Sequence, residues 1–201
     1  MTLPNQLTIL RIILTPVFLY LFMQEEPFLK QLSLVIYVLA AITDWYDGWL
    51  ARKFNYITNW GKFLDPLADK ILTSAAFIAF VLIDVLPLWM VLIIIIRDFS
   101  ITLLRIYAEF RKKSFLTSYS AKVKTVMQMI FIYYLLTVFT FRTMENLYSE
   151  NQKIFDILTN PEMIIYMMFL ITMFTLLTGV TYIYRNWNLI KGLFTIENKS
   201  V

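Results

Sequence analysis

The chain has no cysteine and no histidine. Without cysteine there is no disulfide framework, so a stapled secreted scaffold is excluded. Zinc and the softer metals lose their usual thiolate and imidazole ligands. Any metal here must be a hard cation held by oxygen. Catalysis by a Cys or His nucleophile, or by a His base, is excluded too. Four glycines and six prolines in 201 residues argue against fibrous and disordered classes. Charge is also scarce. Asp, Glu, Lys and Arg make up 16% of the chain, against roughly a quarter in an ordinary soluble domain.

Apolar residues fill the space. The chain is 59% hydrophobic and 17% aromatic, too much for one small soluble core, which points to a membrane protein. Six apolar segments lie at roughly 7–23, 28–52, 61–84, 86–109, 121–142 and 162–184. Each approaches the ~20 residues that a bilayer core requires of a helix. Polar breaks separate them: Glu25-Glu26-Pro27, Asn55 to Asn59, Asp84 with Pro87, Arg111-Lys112-Lys113, and the stretch 143–161. A soluble helical bundle would show one polar face per helix; IILTPVFLYLF and VLIIIIR have none. The expected architecture is all-α: a polytopic integral membrane protein of six transmembrane helices, in a single membrane domain over 1–201. The first apolar run reads as a retained span. Arg11 interrupts its start, and Met23-Gln24-Glu25-Glu26 offers no small-residue cleavage site.

Charge sets the expected orientation. With the N-terminus, the 52–62 and 110–124 loops and the C-terminal tail on one side, that side holds fifteen of the eighteen Lys and Arg residues. Only Lys30, Arg142 and Lys153 fall on the other. The positive-inside rule makes the richer side cytoplasmic, with both termini there. The net +4 is then a lopsided membrane distribution that suits anionic lipid headgroups. No nucleic-acid module is recognisable.

Four aspartates break the apolar pattern of the second and third segments. Asp44 and Asp47 are three residues apart, and Asp65 and Asp69 four apart, so each pair shares a helix face. Counting about 1.5 Å per residue from Phe28 places Asp44 and Asp47 about 24–29 Å along their helix. That is close to the cytoplasmic boundary, where the third segment starts with Asp65 and Asp69. Gly48, Ala51 and Gly61 add little bulk beside them. A lone Asp deep in a membrane helix costs roughly 2.5–3.5 kcal/mol, so a group of them needs water, basic partners or a cation. Arg52, Lys62 and Lys70 are basic neighbours. Divalent cations suit four clustered carboxylates better, for transport or for catalysis. Asp65 alone also fits a plain helix cap before Pro66.

The full pattern resembles a known family. Asp44-x2-Asp47-Gly48-x2-Ala51-Arg52-x8-Gly61-x3-Asp65-x3-Asp69 matches the signature of the CDP-alcohol phosphotransferases at eight positions. The resemblance implies six transmembrane helices and transfer of the phosphate-linked group of a CDP-alcohol to an acceptor hydroxyl, with release of CMP. It implies two divalent ions, Mg²⁺ or Mn²⁺, held by Asp44, Asp47, Asp65 and Asp69, with Asp69 also the base. It implies that Asn5, Thr8, Gly48, Ala51, Arg52 and Gly61 lie along the CDP moiety, near the cytoplasmic face. A homodimer in a bacterial-type plasma membrane is also implied.

Pro4 to Arg11, Leu64 to Lys70 and Ser120 to Thr125 further resemble the branch that uses CDP-diacylglycerol and glycerol 3-phosphate. In that branch Arg97, Arg105, Lys122 and Lys124 would hold the acceptor phosphate. Two details depart from it. Asp98 stands where Glu is common, and Ala121 where Gly is common. Arg-Asp and Ser-Lys at these places also occur in cardiolipin synthases, which use phosphatidylglycerol. A cation transporter is the alternative of a different class, although the paired repeats usual in transporters are missing.

Overall fold

The computed structural model describes residues 3–54, 59–111, 115 and 119–194. Within the helices, the side chains at 3, 4, 45, 47, 48, 51, 52, 54, 59, 60, 62 and 194 fall outside that description. The described residues form helices and connecting turns. Six long helices follow the six apolar segments: α1 (Leu3–Phe22), α2 (Pro27–Phe54), α3 (Asn59–Leu82), α4 (Leu88–Phe110), α5 (Tyr119–Arg142) and α8 (Pro161–Arg185). Three short helices were not expected: α6 (Glu145–Glu150), α7 (Gln152–Leu158) and α9 (Trp187–Phe194).

Local sequence explains the boundaries. Asn160 caps α8, its side-chain oxygen accepting from the backbone N–H of Glu162 and Met163, and Pro161 takes the first position. Asp84 adopts a positive φ of 57° in the turn after α3, a region tolerated by Asp because its short polar side chain bonds locally. Asp84 thereby turns the chain so that the N–H groups of Val85 and Leu86 bond the carbonyl of Phe80. The stretch 143–161 folds onto the end of α5. Tyr134 donates its hydroxyl to the carbonyl of Leu158, and Arg142 donates to Thr159 at 3.2 Å. α9 places Lys191 over the Trp187 ring at 5.2 Å and buries Leu193.

α1 packs against both α2 and α3. α3 also meets α4 and α5, while α8 closes against α4 and α5. Aromatic rings fill the core along these contacts. Phe22 and Phe139 both pack edge-on to Phe80, and Phe18 meets Tyr37. The outward faces are apolar as well. On α1, Leu10, Ile13, Val17 and Tyr20 are exposed, and on α2, Val35, Leu39 and Ile42. Contiguous apolar surface of this extent belongs against lipid rather than water.

Among the described residues, four stretches suffice by length and composition to cross a membrane: Asn5–Phe22, Pro27–Asp44, Tyr119–Arg142 and Gln152–Arg185. α3 and α4 fall short of that standard because they carry Asp65, Asp69 and Lys70, and Arg97, Asp98 and Arg105.

Phe80 is fully buried, with ring centroids 5.2 Å from Phe22 and 5.6 Å from Phe139. Phe80→Ala is expected to destabilise the fold by about 3–5 kcal/mol, read as a lowered unfolding midpoint in detergent micelles. An unchanged midpoint would show that this aromatic cluster is not part of the stabilising core.

Candidate active site

Three of the four signature aspartates have described side chains, and α1 holds two of them. Arg11, fully buried, reaches Asp44 on α2 with Nη1 2.6 Å from Oδ1. Thr8, one turn earlier, donates its hydroxyl to Asp65 Oδ1 at 2.5 Å. Asn5 lies a further turn back on the same helix face. Asp65 is therefore not a simple helix cap. α3 begins at Asn59, which leaves Asp65 and Pro66 inside the helix. Gly61 is buried in the first turn of α3. Asp69 follows one turn after Asp65 and pairs with Lys70 at 3.3 Å. The positions of Asp47, Gly48, Ala51 and Arg52 lie on α2, but their side chains are outside the described residues.

The carboxylates suit a hard cation by chemistry. All their donors are oxygen, and the chain offers no imidazole or thiolate. The charges of Asp65 and Asp69 both reach Asp44. Among the described residues no three acidic side chains converge into a metal-holding group; the fourth, Asp47, is not among them.

Beside Asp69 opens a cavity of about 470 Å³. It gathers residues from α3, α4, α5 and α8. Asp69 and Lys70 form one wall; Arg97 and Arg105 come from α4, Lys122 and Lys124 from α5, and Tyr182 from α8. All four basic residues singled out in the sequence thus face the same space as Asp69. Arg105 and Lys122 are exposed at its mouth, whereas Lys124 is buried, only 1% exposed.

The sequence marked the residue that joins these groups only as a departure from the commoner Glu. Asp98, 6% exposed, lies on α4 facing the cavity. Its Oδ1 is 2.5 Å from Lys124 Nζ and 3.1 Å from Arg97 Nη1, and its Oδ2 is 3.8 Å from Lys70 Nζ. Arg97 also donates from Nη2 to Thr178 Oγ1 on α8 at 3.2 Å. The next residue, Gly179, leaves room for it, since a Cβ there would stand 3.2 Å from Arg97 Cγ. The available signal was an acidic residue inside an apolar helix, which must find a partner. Thr178-Gly179 carried no comparable signal.

A model of the CDP-alcohol phosphatidyltransferase family matches residues 1–190. A Bacillus subtilis protein named CDP-diacylglycerol–glycerol-3-phosphate 3-phosphatidyltransferase is 34% identical over 94% of this chain and 97% of its own length. Proteins of the same name from Rickettsia bellii and Salmonella typhimurium are similar over shorter regions. The first is 41% identical over 63% of this chain and 70% of its own length. The second is 39% identical over 66% and 75% respectively. The chain belongs to the CDP-alcohol phosphatidyltransferase family. It is an enzyme of that family, and the transporter reading gives way.

Breaking a buried ion pair by removing one partner typically costs about 3–5 kcal/mol. Because Arg97 and Lys70 still face Asp98, Lys124→Met is expected near the lower end, about 3 kcal/mol. Thermal unfolding in micelles measures it. A variant as stable as the parent would place Lys124 outside the buried network.

Proposed function

We propose that this enzyme transfers the phosphatidyl group of CDP-diacylglycerol to glycerol 3-phosphate, giving phosphatidylglycerol phosphate and CMP. The observation that carries this reading is the shared cavity of Asp69, Arg97, Arg105, Lys122 and Lys124. Five basic side chains, with Lys70, and three carboxylates, Asp69, Asp98 and Glu109, line it. The surplus of two positive charges matches a phosphate monoester, which carries about −1.5 to −2 at neutral pH. Phosphatidylglycerol, the acceptor in the runner-up reading, is a diester with one negative charge and brings two further acyl chains. The cavity's charge favours the monoester. The names of the relatives support the same acceptor.

In this reading the base is Asp69, which lines the cavity and lies one turn beyond Asp65 on α3. It takes the proton of the acceptor hydroxyl. The freed oxygen pair forms a bond to the phosphorus that carries diacylglycerol. The phosphorus–oxygen bond to the CMP phosphate breaks, and its electrons leave with CMP. Arg97, Arg105, Lys122 and Lys124 fix the acceptor phosphate by charge-assisted hydrogen bonds, so that the hydroxyl meets the donor in line. Asp44, Asp47, Asp65 and Asp69 would hold two ions of Mg²⁺ or Mn²⁺, which neutralise the pyrophosphate and the departing CMP. Asn5, Thr8, Gly48, Ala51, Arg52 and Gly61 would lie along the CDP moiety, as the signature implies. The family resemblance supports a homodimer. The basic-residue asymmetry and the bacterial relatives support six spans in a plasma membrane, with the active site and both termini cytoplasmic.

Purified enzyme given CDP-diacylglycerol and a panel of acceptors should release CMP fastest with glycerol 3-phosphate. EDTA should abolish release, and Mg²⁺ or Mn²⁺ restore it. Arg105→Gln and Lys122→Gln should each raise KM for glycerol 3-phosphate by about 10- to 150-fold, the equivalent of about 1.5–3 kcal/mol for a charge-assisted bond. Asp69→Asn should lower kcat and leave both KM values in place. A preference for phosphatidylglycerol, with those two basic substitutions silent, would replace the acceptor.

Orientation has its own test, aided by the absence of native cysteine. Tyr119 and Lys153 are both exposed. In intact cells a membrane-impermeant thiol reagent should label Lys153→Cys and spare Tyr119→Cys. The opposite labelling would invert the topology.

A further inference from the structure

Asp98 takes no part in the transfer steps above, yet three cations meet on it. Lys70 comes from α3, Arg97 from α4 and Lys124 from α5. Each of the three also lines the acceptor cavity. Like charges so placed repel one another and, unopposed, would swing apart. Asp98 opposes them with both oxygens. Oδ1 takes Lys124 and Arg97, and Oδ2 faces Lys70 at 3.8 Å. Lys70 in turn lies 3.3 Å from Asp69 Oδ2, so the same carboxylate sets the cation beside the base.

The geometry points to Asp98 as the positioning residue of the acceptor site: a buried anion that preassembles Lys70, Arg97 and Lys124 into a fixed cationic wall for a phosphate monoester. It acts through these side chains. A wall held in place before binding spares the ordering of three long side chains when the acceptor arrives. Thr178 anchors the far side of Arg97, and Gly179 leaves the space its stem occupies. Arg97 is therefore held between two partners with no room to retreat toward α8. This inference rests on the acceptor reading proposed above.

The test compares wild type, Asp98→Asn and Asp98→Glu, purified in micelles, by kcat, both KM values and melting temperature. Asp98→Asn is expected to raise KM for glycerol 3-phosphate at least about tenfold, about 1.4 kcal/mol on the affinity scale. KM for CDP-diacylglycerol should stay within about twofold, the scale of an effect confined to one site. Asp98→Glu keeps the charge and should hold the acceptor KM within about threefold of wild type, well under the tenfold step. A merely structural Asp98 would lower the melting temperature and the active fraction, leaving both KM values unmoved; that result overturns the proposal. If Asp98→Asn does not fold, Thr178→Val decides, because it releases the far side of Arg97 from its anchor. A rise of about threefold or more in the acceptor KM alone, the scale of one lost hydrogen bond, supports a wall held in place, and two unmoved KM values refute it. Failure of the acceptor reading is visible separately, because wild type itself would then prefer another acceptor, whatever Asp98 does.

Discussion

A charge set among apolar helices must find its counter-charge inside the protein, because lipid offers none. Asp98 is the centre of that constraint here. Its pairs with Lys70, Arg97 and Lys124 join α3, α4 and α5 at one level. The hydrogen bond from Arg97 to Thr178 brings α8 to the same level. The aromatic contacts further along the helices, such as Phe22 with Phe80, stabilise by burial and edge-on ring packing. The ionic contacts fix which charges face one another. They place the walls of the cavity opposite one another, and the cavity exists where they do so.

α1 applies the same principle to the other half of the site. It packs on both α2 and α3, so one helix can supply Arg11 to Asp44 and Thr8 to Asp65. The two halves meet at Asp69 and Lys70. Asp69 belongs by spacing to the aspartate signature and by location to the cationic cavity. On the proposed reaction, that double membership suits a base serving a transfer between two substrates, one bound among the carboxylates and the other among the basic residues.

Much of this was legible in the sequence, and for identifiable reasons. The six long helices were readable because hydrophobic runs near membrane length leave few alternatives. The aspartates were readable because carboxylates there are costly and their spacing repeats. Arg97, Arg105, Lys122 and Lys124 came from resemblance, and the structure brings them into one space. Asp98 was noticed only as a departure from the commoner Glu. Its partners lie 28 residues before and 26 after it, and no helical periodicity connects them. The polar stretch 143–161 was taken as a break, yet Asn151 and Asn160-Pro161 are the kind of punctuation that short helices need. α9 was missed because eight residues are too few for periodicity to stand out. Asp65 beside Pro66 invited a helix start, but tertiary contact with Thr8 holds it within α3 instead.

A lipid-modifying site has to serve two phases at once, and this chain offers exposed faces of both kinds. Within a turn of Arg11, the outward side chains Leu10 and Ile13 are 41% and 56% exposed. Just before Asp44 on α2, Ile42 is 52% exposed. The carboxylates are thus bordered by surface fit for acyl chains. The cavity beside Asp69 is bordered by Arg105, Glu109 and Lys122, side chains fit for water. On the proposed reaction, a diacylglycerol donor keeps its chains against α1 and α2 while its pyrophosphate reaches the aspartates. The soluble acceptor enters among the basic residues. On that reaction the boundary between the two approaches runs through Asp69, so the proposed base lies where the two environments touch.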